Sequence, residues 1–318
     1  MSALAEIQER VQSTGALIEQ YNRSLRPDSP RSVLANIRSL EKLHRRLQRE
    51  FEQIAAEEEF DVYHYRILHS ERATINGLTS AWREFQNALA VVYSSIKSGG
   101  AIKEKPKRGR KKQQTESLLP LRPPLELGFG YAYPGSIGIT LTLPNHVEGL
   151  FADPAIEKAT AEIFELAEAF RNKERVRDIA RRLGPEPVNA VFKWVDAHVA
   201  NKYGVAIEWK RDAQHERKIL CQYEELQALR DDLSETTVDQ RLDVTGDLAV
   251  VDSEKRTFVI HVDDGERITG TYKDAITKEQ AASVPARYAA VIKKSTKIVV
   301  VEDAAPEEWY FLESLKGL

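Results

Sequence analysis

Cysteine is almost missing from this chain of 318 residues, which contains a single one, Cys221. One cysteine cannot form a disulfide within the chain, and it excludes a metal site built from a cluster of cysteines. The scarcity favours a reducing compartment, so we expect a cytoplasmic protein. The sequence also lacks any apolar run near the roughly 20 residues that a membrane-spanning helix needs. We therefore expect no association with a membrane.

The motifs that usually mark an active site are missing as well. The seven histidines are scattered, and none of their spacings matches the His-x-x-x-His or His-Glu-x-x-His patterns on which zinc sites are built. Ser136 lies in Pro-Gly-Ser-Ile-Gly, which does not match the Gly-x-Ser-x-Gly pattern of a nucleophile, and the glycines around Phe129 lack a phosphate-binding lysine. The sequence favours a non-enzymatic protein over an enzyme, and it predicts neither a metal nor another cofactor.

Charge is abundant but balanced, with 46 Lys and Arg residues against 49 Asp and Glu residues and a formal net charge of -3. A protein with this balance does not bind polyanions over its whole surface, so contact with nucleic acid must depend on a local patch. The hydrophobic content of 42% is enough for buried cores, and the length predicts two or three domains.

Residues 1–97 carry the periodicity of amphipathic helices. In the second of these helices, apolar residues follow one another at spacings of three and four and form an unbroken stripe. We take this stripe as a candidate partner-binding face: Ile37, Leu40, Leu43, Leu47, Phe51 and Ile54. So narrow a stripe needs a facing helix, supplied either by the same chain or by a second copy. We predict an antiparallel, coiled-coil-like helical domain over 1–97 that binds a protein partner or itself. Residues 60–68, rich in β-branched and aromatic residues, fit either a strand or the start of the next helix.

A basic segment follows this helical region. Residues 98–124 contain four prolines and few large apolar residues, which is the composition of a flexible linker. The middle of the segment concentrates seven cations and one glycine, and we take these as candidate nucleic-acid-binding residues: Lys103, Lys105, Lys107, Arg108, Gly109, Arg110, Lys111 and Lys112.

Within this segment, the residues Pro106-Lys107-Arg108-Gly109-Arg110 resemble the core of an AT-hook. The resemblance is confined to the segment, where Lys111 takes the place of the usual proline. It implies DNA contact in the narrow minor groove of AT-rich sequences, where an extended Arg-Gly-Arg meets an enhanced negative potential. Three other interpretations stay open: phosphate contact without sequence preference, a solubilising tether, or a role in targeting or at a lipid surface.

Two β-containing domains are predicted after the basic segment. Residues 125–210 combine a β-hairpin around Pro134-Gly135 with three helices and a strand, which predicts an α+β domain with a small antiparallel sheet. Residues 211–236 are predicted to be a helical connector. Residues 237–318 contain five short β-rich runs, at 242–251, 257–262, 267–272, 288–294 and 297–301. These runs predict a small five-stranded β-barrel of SH3-like or OB-like type, closed or covered by residues 308–315.

The fold class predicted from these segments is α+β and multidomain, and no family is recognised over the full length. The modular layout favours a non-enzymatic interaction or regulatory protein, such as an accessory component of a bacterial-type complex. The alternative is a nucleic-acid-binding protein anchored by residues 103–112.

Overall fold

The structure, a computed structural model, describes residues 2–27, 29–69, 73–99, 125–133, 137–146, 152–276, 284–297 and 307–318. It divides into a first compact unit, residues 1–171 and 193–230, and a second, residues 172–192 and 231–318. The helices are α1 Ala3–Ser24, α2 Arg31–Glu57, α3 Ile75–Lys97, α4 Pro154–Glu168, α5 Lys173–Leu183, α6 Pro185–Ala200 and α7 Tyr223–Glu235. The strands are β1 Phe60–His69, β2 Gly128–Ala132, β3 Gly138–Pro144, β4 Tyr203–Lys210, β5 Glu216–Cys221, β6 Thr237–Asp252, β7 Thr257–Val262, β8 Arg267–Tyr272, β9 Ala286–Lys297 and β10 Glu308–Gly317.

The first unit is built on a five-stranded antiparallel sheet in the order β2-β3-β1-β4-β5. Strand β1 lies in the middle, where Tyr65 pairs with Ile139 of β3 on one side and with Ile207 of β4 on the other. Residues 60–68, for which the sequence left two possibilities, therefore form a strand. Its β-branched and aromatic side chains suit a strand that has a neighbour on each edge.

The position of β1 joins two stretches that the sequence predicts as separate domains, residues 1–97 and 125–210. Both stretches contribute strands to one sheet, and apart from residues 172–192 they belong to the same compact unit. The physical reason is that a lone strand must pair its backbone groups. The partners of β1 lie far along the chain, at 138–144 and 203–210.

One face of β1 lies in the core of the first unit. Tyr63 and Tyr65 are both fully buried, and each phenol oxygen has a partner. The Tyr63 oxygen lies 2.7 Å from Thr160 Oγ1. Tyr65 lies 2.5 Å from His198 Nε2 and accepts a hydrogen bond of 2.8 Å from Trp194 Nε1. Partnered in this way, the polar tips of these rings can be buried at little cost.

The predicted helical connector over 211–236 is helical only in its second half. Residues Glu216–Cys221 form strand β5 on the edge of the sheet, and α7 begins at Tyr223. Ile219 and Cys221 face inward while Leu220 between them is 62% exposed. This alternation with a period of two indicates a half-buried strand, and the many charged residues around it obscure the pattern.

The second unit contains a closed barrel of five strands in the order β10-β8-β7-β6-β9, in which β8 and β10 run parallel and the other pairs antiparallel. The α+β class, the antiparallel sheet and the closed five-stranded barrel are thus confirmed. The fifth strand is β10, in the stretch predicted to close or cover the barrel. Most of the run 297–301, predicted as a strand, lies outside the described residues.

Glycine is needed where the barrel closes. A Cβ atom on Gly270 of β8 would overlap the backbone carbonyl of Tyr310 on β10, so only glycine permits this approach. The barrel core consists of apolar side chains from all five strands: Leu248, Phe258, Ile260, Ile268, Tyr272, Ala290, Ile292 and Leu312. In the ranges given above, no helix combines the length and the apolar character needed to cross a membrane.

Candidate docking site on the helical hairpin

Helices α1 and α2 form an antiparallel hairpin. Ser2 caps α1 by accepting a hydrogen bond from the backbone N–H of Ala5, and Pro30 stands at the N-terminal end of α2. The direction follows from two contacts. The Leu4 N–H donates to Glu58 Oε1 (3.2 Å), while Arg10, further along α1, pairs with Glu50, which is earlier in α2 (3.6 Å). We call the end with these contacts the base of the hairpin, and the end at the α1–α2 connection its tip.

The candidate partner-binding stripe on α2 is for the most part covered within the chain. Ile37, Leu47 and Phe51 are at most 5% exposed. Helix α1 packs against α2, and Phe51 also contacts Tyr131 of β2, with the ring centres 5.2 Å apart. Leu40 and Ile54 are half-buried, whereas Leu43 is 43% exposed. The chain thus supplies a facing helix for the stripe. Whether a partner binds the part left exposed stays a prediction.

The base of the hairpin is fixed to the sheet through α1. Gln8 Nε2 donates to the backbone carbonyl of Phe129 (3.3 Å), and Gln12 Nε2 donates to that of Gly130 (3.1 Å). Both acceptors lie on β2, the edge strand of the sheet. The side of α1 that carries Gln8 and Gln12 therefore faces the sheet.

Glu52 fixes α2 to the same sheet. Its carboxylate accepts hydrogen bonds from His64 Nε2 (3.0 Å) and Lys210 Nζ (3.2 Å), and Lys210 also pairs with Glu208 (2.7 Å). Burial alone would raise the pKa of Glu52. The hydrogen bonds and attraction from His64 and Lys210 outweigh this effect and hold the pKa below its ordinary value.

The bonds around His64 form one continuous chain. Thr140 Oγ1 donates to the Tyr133 oxygen (3.2 Å), and the Tyr133 hydroxyl donates to His64 Nδ1. His64 Nε2–H donates to Glu52 at the end of the chain, which fixes the tautomer of the imidazole. The Arg66 guanidinium lies 4.5 Å from the centre of the Tyr133 ring. The chain could pass a proton, but its geometry mainly holds Glu52, and with it α2, against the sheet.

A second histidine lies inside the hairpin itself. His44 on α2 is 5% exposed, and burial lowers its pKa, an effect partly offset by the backbone of Val11. A neutral imidazole is therefore the stable form between the two helices.

The hairpin carries exposed apolar residues that the stripe alone did not reveal. Leu17 and Tyr21 of α1 are 45% and 39% exposed, similar to Leu43. We call Leu17, Tyr21 and Leu43 the outer flank. Leu17 and Tyr21 are four residues apart and so share one side of α1. In the sequence, both residues lie at apolar positions of the first amphipathic helix. Which of these positions stay exposed depends on where α2 packs against α1.

Helix geometry brings Leu17 next to Leu43. Arg10 and Glu50 form an ion pair across the hairpin. Seven residues complete about two turns of a helix. Leu17 lies seven residues after Arg10, and Leu43 lies seven before Glu50. In an antiparallel pair these steps go in the same direction, so the two leucines are neighbours on the side that the ion pair marks.

The outer flank points away from the sheet. Nine residues make about two and a half turns, so residues nine apart lie on opposite sides of a helix. Leu17 is nine residues from Gln8, and Leu43 is nine residues from Glu52. Gln8 and Glu52 both bond to the sheet. The outer flank is consequently not covered by the sheet to which the hairpin is attached.

The candidate nucleic-acid residues, from Lys103 to Lys112, lie outside the described residues. In the part of the chain that the structure describes, no group of three or more His, Cys, Asp or Glu side chains is placed to hold a metal ion. Comparison of the chain with protein-family models, with curated proteins and with solved structures finds no match.

Proposed function

We propose that the protein is a non-enzymatic modular interaction protein that binds a protein partner through the outer flank of its hairpin. The observation that carries the proposal is the exposure of Leu17, Tyr21 and Leu43 on a hairpin fixed to a sheet. Large apolar side chains grouped on an ordered surface favour docking, because binding removes them from water without the cost of ordering the element.

Two further features support a role in binding rather than in catalysis. The polar groups at the base of the hairpin bond to one another, as in the chain from Thr140 to Glu52. The single thiol, Cys221, is buried, and burial raises its pKa to about 12, which makes it a poor nucleophile. We place the protein in the cytoplasm because a chain with one cysteine suits a reducing compartment.

Site-specific photo-crosslinking tests the docking proposal. A photo-reactive amino acid replaces Leu17 in one sample and Leu34 in a matched one. Leu34 is similarly exposed, at 41%, but lies nine residues from Leu43 and so on the opposite side of α2. In the native cell, we expect a discrete protein adduct from position 17 and none from position 34. Equal labelling from both positions, or none from either, would contradict docking through the outer flank.

Nucleic-acid binding is a second candidate function, and the AT-hook-like segment 103–112 favours it. The barrel adds support if it is of the OB type, whose members often bind oligonucleotides. The strand order favours that type over an SH3-like one. The third strand, β8, lies beside and parallel to the fifth, β10, and the first strand, β6, lies between the second and the fourth. This argument is one of fold analogy.

Fluorescence anisotropy with AT-rich duplex DNA tests this second candidate. We expect weak binding by the full chain that falls steeply as salt rises, because phosphate contacts release counterions. Replacing Lys107, Arg108 and Arg110 by alanine should abolish it. Affinity that does not change with salt would exclude an electrostatic contact by this segment.

A further inference from the structure

We propose that the partner bound by the outer flank is a second copy of this chain, arranged so that the tip of each hairpin lies beside the base of the other. This inference rests on the proposed function and names its occupant. The contact would join Leu17, Tyr21 and Leu43 of one copy to the same three residues of the other. A surface that meets itself in this way gives a dimer with two-fold symmetry, the commonest arrangement of soluble oligomers.

The distribution of charge along the hairpin selects a second copy as the occupant. The tip, residues 16–45, carries six cations against three acids. The base, residues 1–15 and 46–59, carries three cations against seven acids. The hairpin is therefore positive at its tip and negative at its base, and Leu17 and Leu43 lie at the boundary between the two parts, with Tyr21 about one turn of helix into the tip. Two copies laid side by side in opposite directions match positive to negative at both ends.

The two-fold arrangement also predicts which charges meet. With the axis next to Leu17, a residue that lies a given distance towards the tip of one copy meets the residue at the same distance towards the base of the other. Arg26 lies just beyond the end of α1 at Ser24, about two turns of helix from Leu17 towards the tip, so it comes near the level of residue 8 of the second copy, and the helix does not fix the side on which it lies. Glu6 and Glu9 flank that level, and all three charged residues are exposed. Parallel packing would instead place like charges together.

Sedimentation velocity of the full chain over a wide range of concentration tests the apolar contact. We expect a reversible dimer for the unaltered protein. Because each dimer loses two buried leucines, Leu43→Ser should raise the dissociation constant at least about tenfold. Leu34→Ser is the matched control, with the same chemistry and similar exposure on the opposite side of α2. It should change the dissociation constant by less than about twofold.

A charge exchange tests the orientation independently of the leucines. Arg26→Glu should weaken the dimer by about threefold to tenfold, since it sets a third acid beside Glu6 and Glu9 of the second copy. Adding Glu6→Lys to the same chain should restore most of the affinity. Both residues are exposed, so the variants should keep the far-ultraviolet circular dichroism and melting temperature of the unaltered protein.

Each other result would overturn the second-copy proposal. A monomer at every concentration rejects it, as does a dimer that Leu34→Ser weakens as much as Leu43→Ser. Failure of Glu6→Lys to restore the Arg26→Glu variant rejects the tip-to-base arrangement. If position 17 crosslinks only to a different protein, the docking function stands and the second copy is excluded. If position 17 crosslinks to nothing, both proposals fail.

Discussion

On the two faces of strand β1, the polar side chains are paired in different ways. On one face, Asp61, Tyr63 and Tyr65 are fully buried. On the other face, His64 is nearly buried, while Arg66 is exposed. The first face bonds to groups of the core, whereas the second joins a network of charges that reaches Glu52 and Lys210. The polar partners of the two faces therefore differ in exposure: the Arg211 side chain that pairs with Asp61 is 10% exposed, whereas those of Glu52 and Lys210 are 26% and 25% exposed.

We therefore expect the loss of a hydrogen-bond partner to cost more free energy of unfolding on the first face than on the second. A lost partner in the core leaves a group that water cannot reach, so the full cost of desolvation appears. A lost partner in the open network is partly replaced by water and by other charges. Substitutions on the first face should thus lower the free energy of unfolding more than substitutions on the second face.

The largest effect is expected at Asp61. Its carboxylate accepts two hydrogen bonds from Arg211, of 2.8 and 3.0 Å, and one of 3.0 Å from Trp209 Nε1. Asp61→Ala removes the closest partners of the largely buried guanidinium of Arg211 and leaves it only the longer contacts with Glu157 (3.6 Å) and the Asp153 carbonyl (3.4 Å). The free energy of unfolding should therefore fall by about 3 kcal/mol. Urea unfolding followed by tryptophan fluorescence measures the change. Asp212→Ala, an exposed carboxylate next to Arg211 in the sequence, is the control and should change stability little.

The second effect concerns the hydroxyl of Tyr65. It donates to His198 Nε2 and accepts from Trp194 Nε1–H. Tyr65→Phe keeps the ring and leaves both partners buried without that bond, so we expect a loss of about 2–3 kcal/mol in the same urea experiment. A loss no larger than that of a Tyr→Phe change at an exposed position would mean that burying His198 and Trp194 without this bond costs little free energy.

The third effect is a dependence on pH from His198. Burial lowers the pKa of His198 from 6.5 in the unfolded chain to about 3, against smaller opposing effects of the Tyr203 and Gly204 backbone. Between these values the unfolded chain binds a proton that the folded chain does not. The contribution of neutral His198 to the free energy of unfolding is therefore fully present above pH 6.5. It falls as the pH drops, by up to about 1.4 kcal/mol per pH unit.

His198→Gln should flatten this slope, because glutamine does not titrate and its side-chain oxygen can still accept from Tyr65. The measurement is the free energy of unfolding at several pH values between 5 and 7 for both proteins. His44, whose pKa is also lowered, contributes with the same sign and should leave a smaller slope in the variant. An unchanged slope would mean that groups other than His198 cause the pH dependence of stability.

The smallest effect is expected on the second face of β1, the one that carries His64. Glu52→Gln removes the charge that His64 and Lys210 share, but the side chain is 26% exposed and Lys210 keeps Glu208. We expect a loss of about 1 kcal/mol at low salt that shrinks as salt rises. A loss as large as that of Asp61→Ala would erase the difference between the two faces.

The sequence predicted those parts of the fold that depend on local pattern. The stripe from Ile37 to Ile54 predicted α2, and short β-rich runs predicted four of the five barrel strands, β6 to β9. The sequence did not show that β1 lies between β3 and β4, because pairing with residues 138–144 and 203–210 is a non-local choice that any strand-like segment could make. The bond between Glu52 and Lys210, 158 positions apart, was hidden for the same reason.

The candidate site was predictable only in part, and for a related reason. Apolar spacing identifies which side of a helix avoids water, and so it pointed to Leu43. It does not tell how much of that side a neighbouring helix covers. Leu17 and Tyr21 became candidates only after the direction and position of α1 against α2 were known.

The central position of β1 has a consequence for dividing the gene. The strand precedes residues 100–124, whereas both of its neighbours in the sheet follow them. Cutting the chain there breaks none of the hydrogen bonds that hold β1, so fragments 1–99 and 125–318, produced together, should reassemble into one particle. Produced alone, the second fragment has a gap where its middle strand belongs and exposes two bare edges to aggregation. Strand β1 is the element through which the two fragments would join, because it pairs with β3 and β4 of the second fragment.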